Sequence, residues 1–185
     1  ALTKKGSALA LQTGSKLGAD VYIKEEFISS ESSRVYPIGG RFGDFVATLF
    51  KQYEALVFIM ACGIVVRTIA PYIKDKTTDP AVVVMDETGQ FAVSLLSGHI
   101  GRANYLAEEI AQKTGAVPVI TTSTDVNNVI SFDVFALENN CIIENFKDLK
   151  YISAALVNGE KIGFYTTHKL QGELPHNILH YKEGN

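Results

Sequence analysis

His99 and Asp125 are the residues whose types and placement point to chemistry. His99 stands in a glycine-punctuated turn, Ser97-Gly98-His99-Ile100-Gly101-Arg102, directly behind the apolar run Phe91–Leu96. Asp125 closes the polar turn Thr121-Thr122-Ser123-Thr124-Asp125 behind a second apolar run, Val117–Ile120. An imidazole titrates near neutral pH, and with a carboxylate to orient it can act as a general base. In that reading His99 is the candidate base, Asp125 its orienting partner, and the amides of Gly98–Gly101 receive a developing oxyanion at a helix start. A second turn has the same grammar. Cys62-Gly63 follows an apolar run and is followed four residues later by Arg67. Glycine lets a ligand approach the backbone, and a cation one helical turn away would complete an anion site. The plain alternative is that these are ordinary strand-to-helix turns, with His99 a surface histidine.

The elements that must position these residues follow from periodicity. FAVSLL suits a strand, and Ala103, Leu106, Ala107, Ile110 and Ala111 share a helical face that opens near Asn104 and stops at Gly115. Val117–Ile120 is a second buried strand. Upstream, Ala1-Leu2 reads as the end of a first strand, 5–17 as a helix, 21–27 as a strand, Glu31-Ser32-Ser33 as a polar turn and 35–38 as an extended piece. Phe45, Val46, Leu49, Phe50 and Tyr53 then share a helical face, with Asp44 in the first turn. Leu56–Met60 is a continuous apolar strand. A short helix from Gly63 should end near Pro71, and Lys74–Pro80 reads as a charged, solvated loop. AVVVM, Asp86-Glu-Thr-Gly89 and FAVSLL form a hairpin.

Beyond Asp125, helices are expected at 132–137 and 146–156, strands at 141–143 and 162–165, and a turn at Asn158-Gly159. The expected architecture is a three-layer α/β/α domain over 1–128, its sheet mostly parallel with one antiparallel hairpin, and part of a second α/β unit over 129–185. Both candidate turns are expected at one carboxyl edge of the sheet, where open α/β sheets bind ligands. Gly63, Arg67, Ser97, Gly98, Gly101, Arg102, Asn104, Thr121 and Thr122 would then line a single cleft with His99 and Asp125.

Composition excludes several classes. Seventeen basic against twenty acidic side chains give a net charge of −3 without a basic block, which argues against nucleic acid. Cys62 and Cys141 are far apart and outside any CxxC pattern, the plain reading being a reduced, cytoplasmic protein. No apolar run approaches the roughly 20 residues of a membrane span. HExxH, GxSxG and GxGxxG are absent, and His168, His176 and His180 lack ligand spacing. The first and last residues suggest a natural chain extending past at least one end. These residues alone describe a domain with a cleft for an anionic small molecule. A nucleotide-binding domain using the Gly98–Gly101 turn stays open on fold analogy.

The run FIMACGIVVRTIAPYIKDKTTDPAVVVMDETGQFAVSLLSGHIGRANYLAEEIA, with VPVITTSTD after it, resembles the amino-terminal domain of the cobalt-precorrin-5A hydrolases, the CbiG family of anaerobic cobalamin biosynthesis. IENFKDLKYISAALVNGEKIGFY resembles the start of that family's middle domain. Two positions depart from the pattern: Arg102, where a second glycine is expected, and Cys62, where Thr or Ala is usual. The resemblance implies opening of the ring-A lactone of cobalt-precorrin-5A and release of acetaldehyde to give cobalt-precorrin-5B. The partner is then a small-molecule tetrapyrrole, with no nucleic acid or membrane, and with other corrin-pathway enzymes or a second copy as further partners. Cobalt comes with the substrate, so no cofactor of the protein's own is implied. The family's carboxyl-terminal domain is absent from this sequence. The alternative is that this half is a non-catalytic corrinoid-binding module.

Overall fold

The computed structural model describes residues 1–29, 33–170 and 172–181. The chain divides into two compact units, Ala1–Ile120 and Thr121–Asn185. Of the expected Glu31-Ser32-Ser33 turn, the first two residues lie outside the described set.

The first unit carries helix α1 (Lys4–Leu17), strands β1 (Val21–Ile23) and β2 (Val35–Pro37), helix α2 (Phe42–Gln52), strand β3 (Ala55–Ile59) and helix α3 (Cys62–Ile69). Strands β4 (Ala81–Met85) and β5 (Phe91–Leu96), helix α4 (Ala103–Thr114) and strand β6 (Val117–Val119) complete it. Local chemistry explains the boundaries. Thr3 caps α1 by accepting from the Gly6 amide, and Gly18 ends it at φ 65°. Beyond Ile23, Glu25–Phe27 close a 3-10 turn on Lys24, so the expected strand over 21–27 is cut to three residues. Pro71 sits in a 3-10 turn just after α3, where a helix could not continue unstrained.

β3, β4, β5 and β6 form one sheet in that order, so Leu56–Met60 and Val117–Ile120 contribute to the same sheet as expected. β3–β4 and β5–β6 are parallel and β4–β5 antiparallel. β4 is buried at all five positions, as a strand covered on both faces must be. Alternation along the strands divides the core in two. Leu56, Phe58, Val82 and Val84 meet Val46, Leu49 and Phe50 of α2 and Val65 and Ile69 of α3. Ile59, Val83, Met85 and Ala92 meet Ala103, Ala107 and Ile110 of α4, with Leu9 and Ala10 of α1 against them. Helices on both faces make the three layers. At the hairpin, the Asp86 carboxylate accepts from the Thr88 and Phe91 amides, and Gly89 turns at φ 71°. Burial pulls Asp86 upward, but the Thr88 hydroxyl, with these amides, outweighs it and holds its carboxyl below the usual range.

The second unit contains α5 (Ser123–Val126), α6 (Phe132–Glu138), α7 (Leu149–Val157) and the parallel pair β7 (Ile162–Tyr165) and β8 (Ile178–Tyr181). Thr121–Asp125 is therefore not a plain turn: its second half is helical. The expected strand at 141–143 is also absent. Asn140, at φ 52°, ends α6 in a Schellman motif, with Cys141 N donating to Ala136 O and Asn140 N to Leu137 O. That bond takes Cys141 out of any ladder. Asn128 and Gly159 end α5 and α7 in the same way. The helix expected over 146–156 begins at Leu149, after a turn. β8 was not anticipated.

Candidate functional site

The antiparallel β4–β5 pair decides which residues can meet. Ile59 pairs with Met85, whereas Leu96 pairs with Val82, which in turn pairs with Leu56. The carboxyl ends of β3 and β4 thus lie at one edge of the sheet, and those of β5 and β6 at the opposite edge. Gly63 and Arg67 follow β3; Ser97–Arg102 follows β5. The expectation of one cleft holding both turns is corrected on this point, because a hairpin reverses the strand ends. Arg67 also curls back over its own helix start, donating through Nη1 to Gly63 O at 3.0 Å.

At the edge where β5 ends, the Ser97–Asn104 segment meets the loop that leads into β4. The Ser97 hydroxyl donates to Asp79 O at 3.1 Å. Asp79 is buried, and its carboxylate accepts the Lys74 amide through both oxygens, at 3.1 and 2.9 Å. The Thr77 hydroxyl and amide hold the exposed Asp75 carboxyl below its usual range. Lys74, Lys76 and Arg102 are exposed. Residues 74–80 therefore form a folded loop locked to the histidine turn. Asp79 was missed as part of this site, although its place before Pro80 and β4 marks a position where a carboxylate can tie a turn. Asp79→Ala should destabilise the chain by about 1.5–3 kcal/mol, the range for a charged hydrogen bond to an amide that would be left unmet. Urea unfolding reads this directly, and an unchanged midpoint would mean that the loop is not held by Asp79.

The histidine turn is closed by its own backbone. Arg102 N donates to His99 O at 2.8 Å, Ala103 N to Ser97 O at 3.1 Å and Asn104 N to Gly98 O at 3.0 Å. Two opening amides of α4 are thereby used inside the turn, so an oxyanion cannot rely on them. Ser97 and Arg102 adopt positive φ, 56° and 66°. The left-handed conformation at 102 gives the physical reason why a glycine would suit that position; here the Arg102 guanidinium lies 4.7 Å from the Tyr105 ring centroid. Asn104 is buried beneath the turn, its Oδ1 accepting from the Ser94 hydroxyl at 2.7 Å.

In the second unit, Thr121 is exposed, and the Thr122 and Thr124 hydroxyls donate to the Asp125 carboxylate within the first turn of α5. Among the described residues, no group of three or more His, Cys, Asp or Glu is placed to hold a metal ion. Nor is any helix there long and apolar enough to cross a membrane.

A mostly parallel α/β sheet with one antiparallel pair, a closed histidine turn and a folded loop of mixed charge at one edge defines the domain. The chain belongs to the CbiG family: residues 44–125 match the cobalamin synthesis G N-terminal region and residues 130–184 the cobalamin biosynthesis central region. It is 38% identical over 174 residues to the cobalt-precorrin-5A hydrolase of Salmonella typhimurium, covering 94% of this chain and 49% of that protein. The Priestia megaterium protein of the same name is 39% identical over 165 residues, covering 88% and 44%. A crystal structure of a cobalamin biosynthesis protein G homologue from Sulfolobus solfataricus superposes with a TM-score of 0.54 at 26% identity, over 96% of this chain and 50% of that one. The chain thus spans about half the length of the curated relatives it matches.

Proposed function

We propose that this chain is the amino-terminal and central part of a cytoplasmic cobalt-precorrin-5A hydrolase, acting in opening of the ring-A lactone with release of acetaldehyde. The observation that carries the reading is the 38–39% identity, over nearly the whole chain, to relatives bearing that name. The edge at which β5 ends suits such a substrate. A tetrapyrrole fringed with carboxylates needs cations, and Lys74, Lys76 and Arg102 stand exposed there. Lactone hydrolysis needs water activated by a base, and His99 sits on the turn between them. Cobalt enters with the substrate, so the chain needs no cofactor of its own.

A second reading is favoured by one observation: two opening amides of α4, those of Ala103 and Asn104, are already hydrogen-bonded within the turn. This half would then recognise the tetrapyrrole while the remainder of the complete protein cleaves it. Incubating the chain and the complete protein with cobalt-precorrin-5A, and assaying both bound pigment and acetaldehyde, separates the two. Acetaldehyde from the chain supports catalysis here; binding without acetaldehyde supports recognition; no binding defeats both. Arg67→Ala should bind the substrate as well as the parent chain, because its guanidinium belongs to the opposite edge. A loss of about 1.5–3 kcal/mol, the size of one charged hydrogen bond, would move the site to the Cys62 turn.

A further inference from the structure

The β1–β2 pair and the four-stranded sheet do not hydrogen-bond to each other, yet the same two helices cover both. On one face, Tyr22 of β1 packs edge-on against Phe45 of α2 at 5.3 Å between centroids, and Leu56 and Phe58 of β3 meet that helix too. On the other face, Val21 of β1 presses on Gly14 of α1, where a Cβ would lie 2.2 Å from Val21 Cγ2, and α1 also contacts β3. The two strands point the same way. Asp20, just before β1, accepts from the hydroxyl of Tyr53, just before β3, at 2.8 Å.

Between β1 and β3 lies a cavity of about 350 Å³, bordered by both strands and both helices. Its two long sides are sheet edges. β1 uses Val21 N and Ile23 O for the β2 side, which turns the Tyr22 amide and carbonyl toward the cavity. β3 uses Glu54 O and Met60 N for the β4 side, so the intervening Ala55, Val57 and Ile59 turn their backbone groups toward it as well. Unpaired ladder groups in a covered sheet are costly. The Thr13 hydroxyl of α1, buried and bordering the same cavity, has no hydrogen-bond partner among the described residues.

We propose that this slot is the seat of one further strand, extended and apolar, lying parallel to β1 and β3 and supplied by residues joined to the Ala1 amide. Ala1 and Leu2 already stand at its carboxyl end. Ala1 N donates to Tyr22 O at 3.1 Å, as a ladder partner would. Ala1 packs against the α1/α4 core and Leu2 against the α2/α3 core, the alternation of a strand between two layers. A strand there, followed by α1 and then β1, is the ordinary crossover between parallel neighbours. It would join both pieces into one sheet in the order β2-β1-inserted strand-β3-β4-β5-β6. Residues of the strand that face α1 meet Ala10, Thr13 and Gly14, a small surface that admits branched side chains close to the helix.

The test is to join five or six alternating Val, Ile and Ala residues to Ala1 and follow amide hydrogen exchange. In the extended chain, Tyr22, Val57 and Ile59 amides should gain protection of about 100-fold or more, as expected when an open edge becomes core ladder. An extension of the same length with alternate prolines, which cannot complete the ladder, should not give that protection. If the 185-residue chain is too unstable to serve as reference, the two extensions are compared directly. Equal exchange at Val57 and Ile59 in both would overturn the assignment. So would protection that grows with protein concentration, since the strand would then come from another copy.

Discussion

Gly101→Ala should destabilise the chain by about 3 kcal/mol, the upper part of the usual range for forcing an extra carbon into a packed site. A Cβ at position 101 would stand 2.4 Å from Ser97 Cβ and 2.8 Å from Ser97 O. Neither atom is the free end of a flexible side chain. Ser97 is pinned by its hydroxyl to Asp79 O, its carbonyl accepts Ala103 N, and its backbone is already at a positive φ. The turn would have to open, releasing the loop into β4 with it. Gly63→Ala is the matched control. There the new carbon meets only Arg67 Nη1, at 3.2 Å, the movable tip of a long side chain. Alanine also favours a helix over glycine by up to about 1 kcal/mol, so this variant should be as stable as the parent or more so. Urea unfolding of the pair settles the matter: equal midpoints for Gly101→Ala and the parent chain would mean that the turn is not closed as described.

The contrast shows what could be read from sequence and what could not. The four strands of the central sheet, the helix from Ala103 and the Asp86–Gly89 turn follow from periodicity and turn chemistry, and they stand where expected. The consequence of that hairpin for the candidate site is a matter of topology. Reversing one strand sends the Gly63 turn and the His99 turn to opposite edges, though both follow apolar runs and look alike as sequence. Positive φ at Ser97 and Arg102 was hidden because neither residue type favours it; the closure of the turn imposes it. Cys141-Ile-Ile has the composition of a strand, yet its first amide is taken by the end of α6. Asp79 looked like one more charge in a solvated loop because its burial depends on Ser97, 18 residues away. The break between β1 and β3 depends on contacts made by α1 and α2 together, and no single stretch records it.

In the complete protein, His99→Ala should lower acetaldehyde release by about 100- to 10,000-fold, the range associated with losing a general base, while pigment binding stays nearly intact. Of the four histidines, His99 alone lies in the first unit. Its backbone is fixed by three hydrogen bonds across residues 97–104, so the turn presents the imidazole from a rigid support. The neighbouring cations can hold carboxylates but cannot take a proton from water at neutral pH. An imidazole can. The parent enzyme should therefore lose activity on the acid side, because the base becomes protonated, and the residual activity of His99→Ala should lack that limb. The pH profile matters because a packing defect would lower the rate without removing the limb. Release at the parent rate with the limb retained would return His99 to the role of a turn residue. Loss of binding together with activity would make it a substrate-holding residue, and the base would have to be sought in the part of the protein beyond this chain.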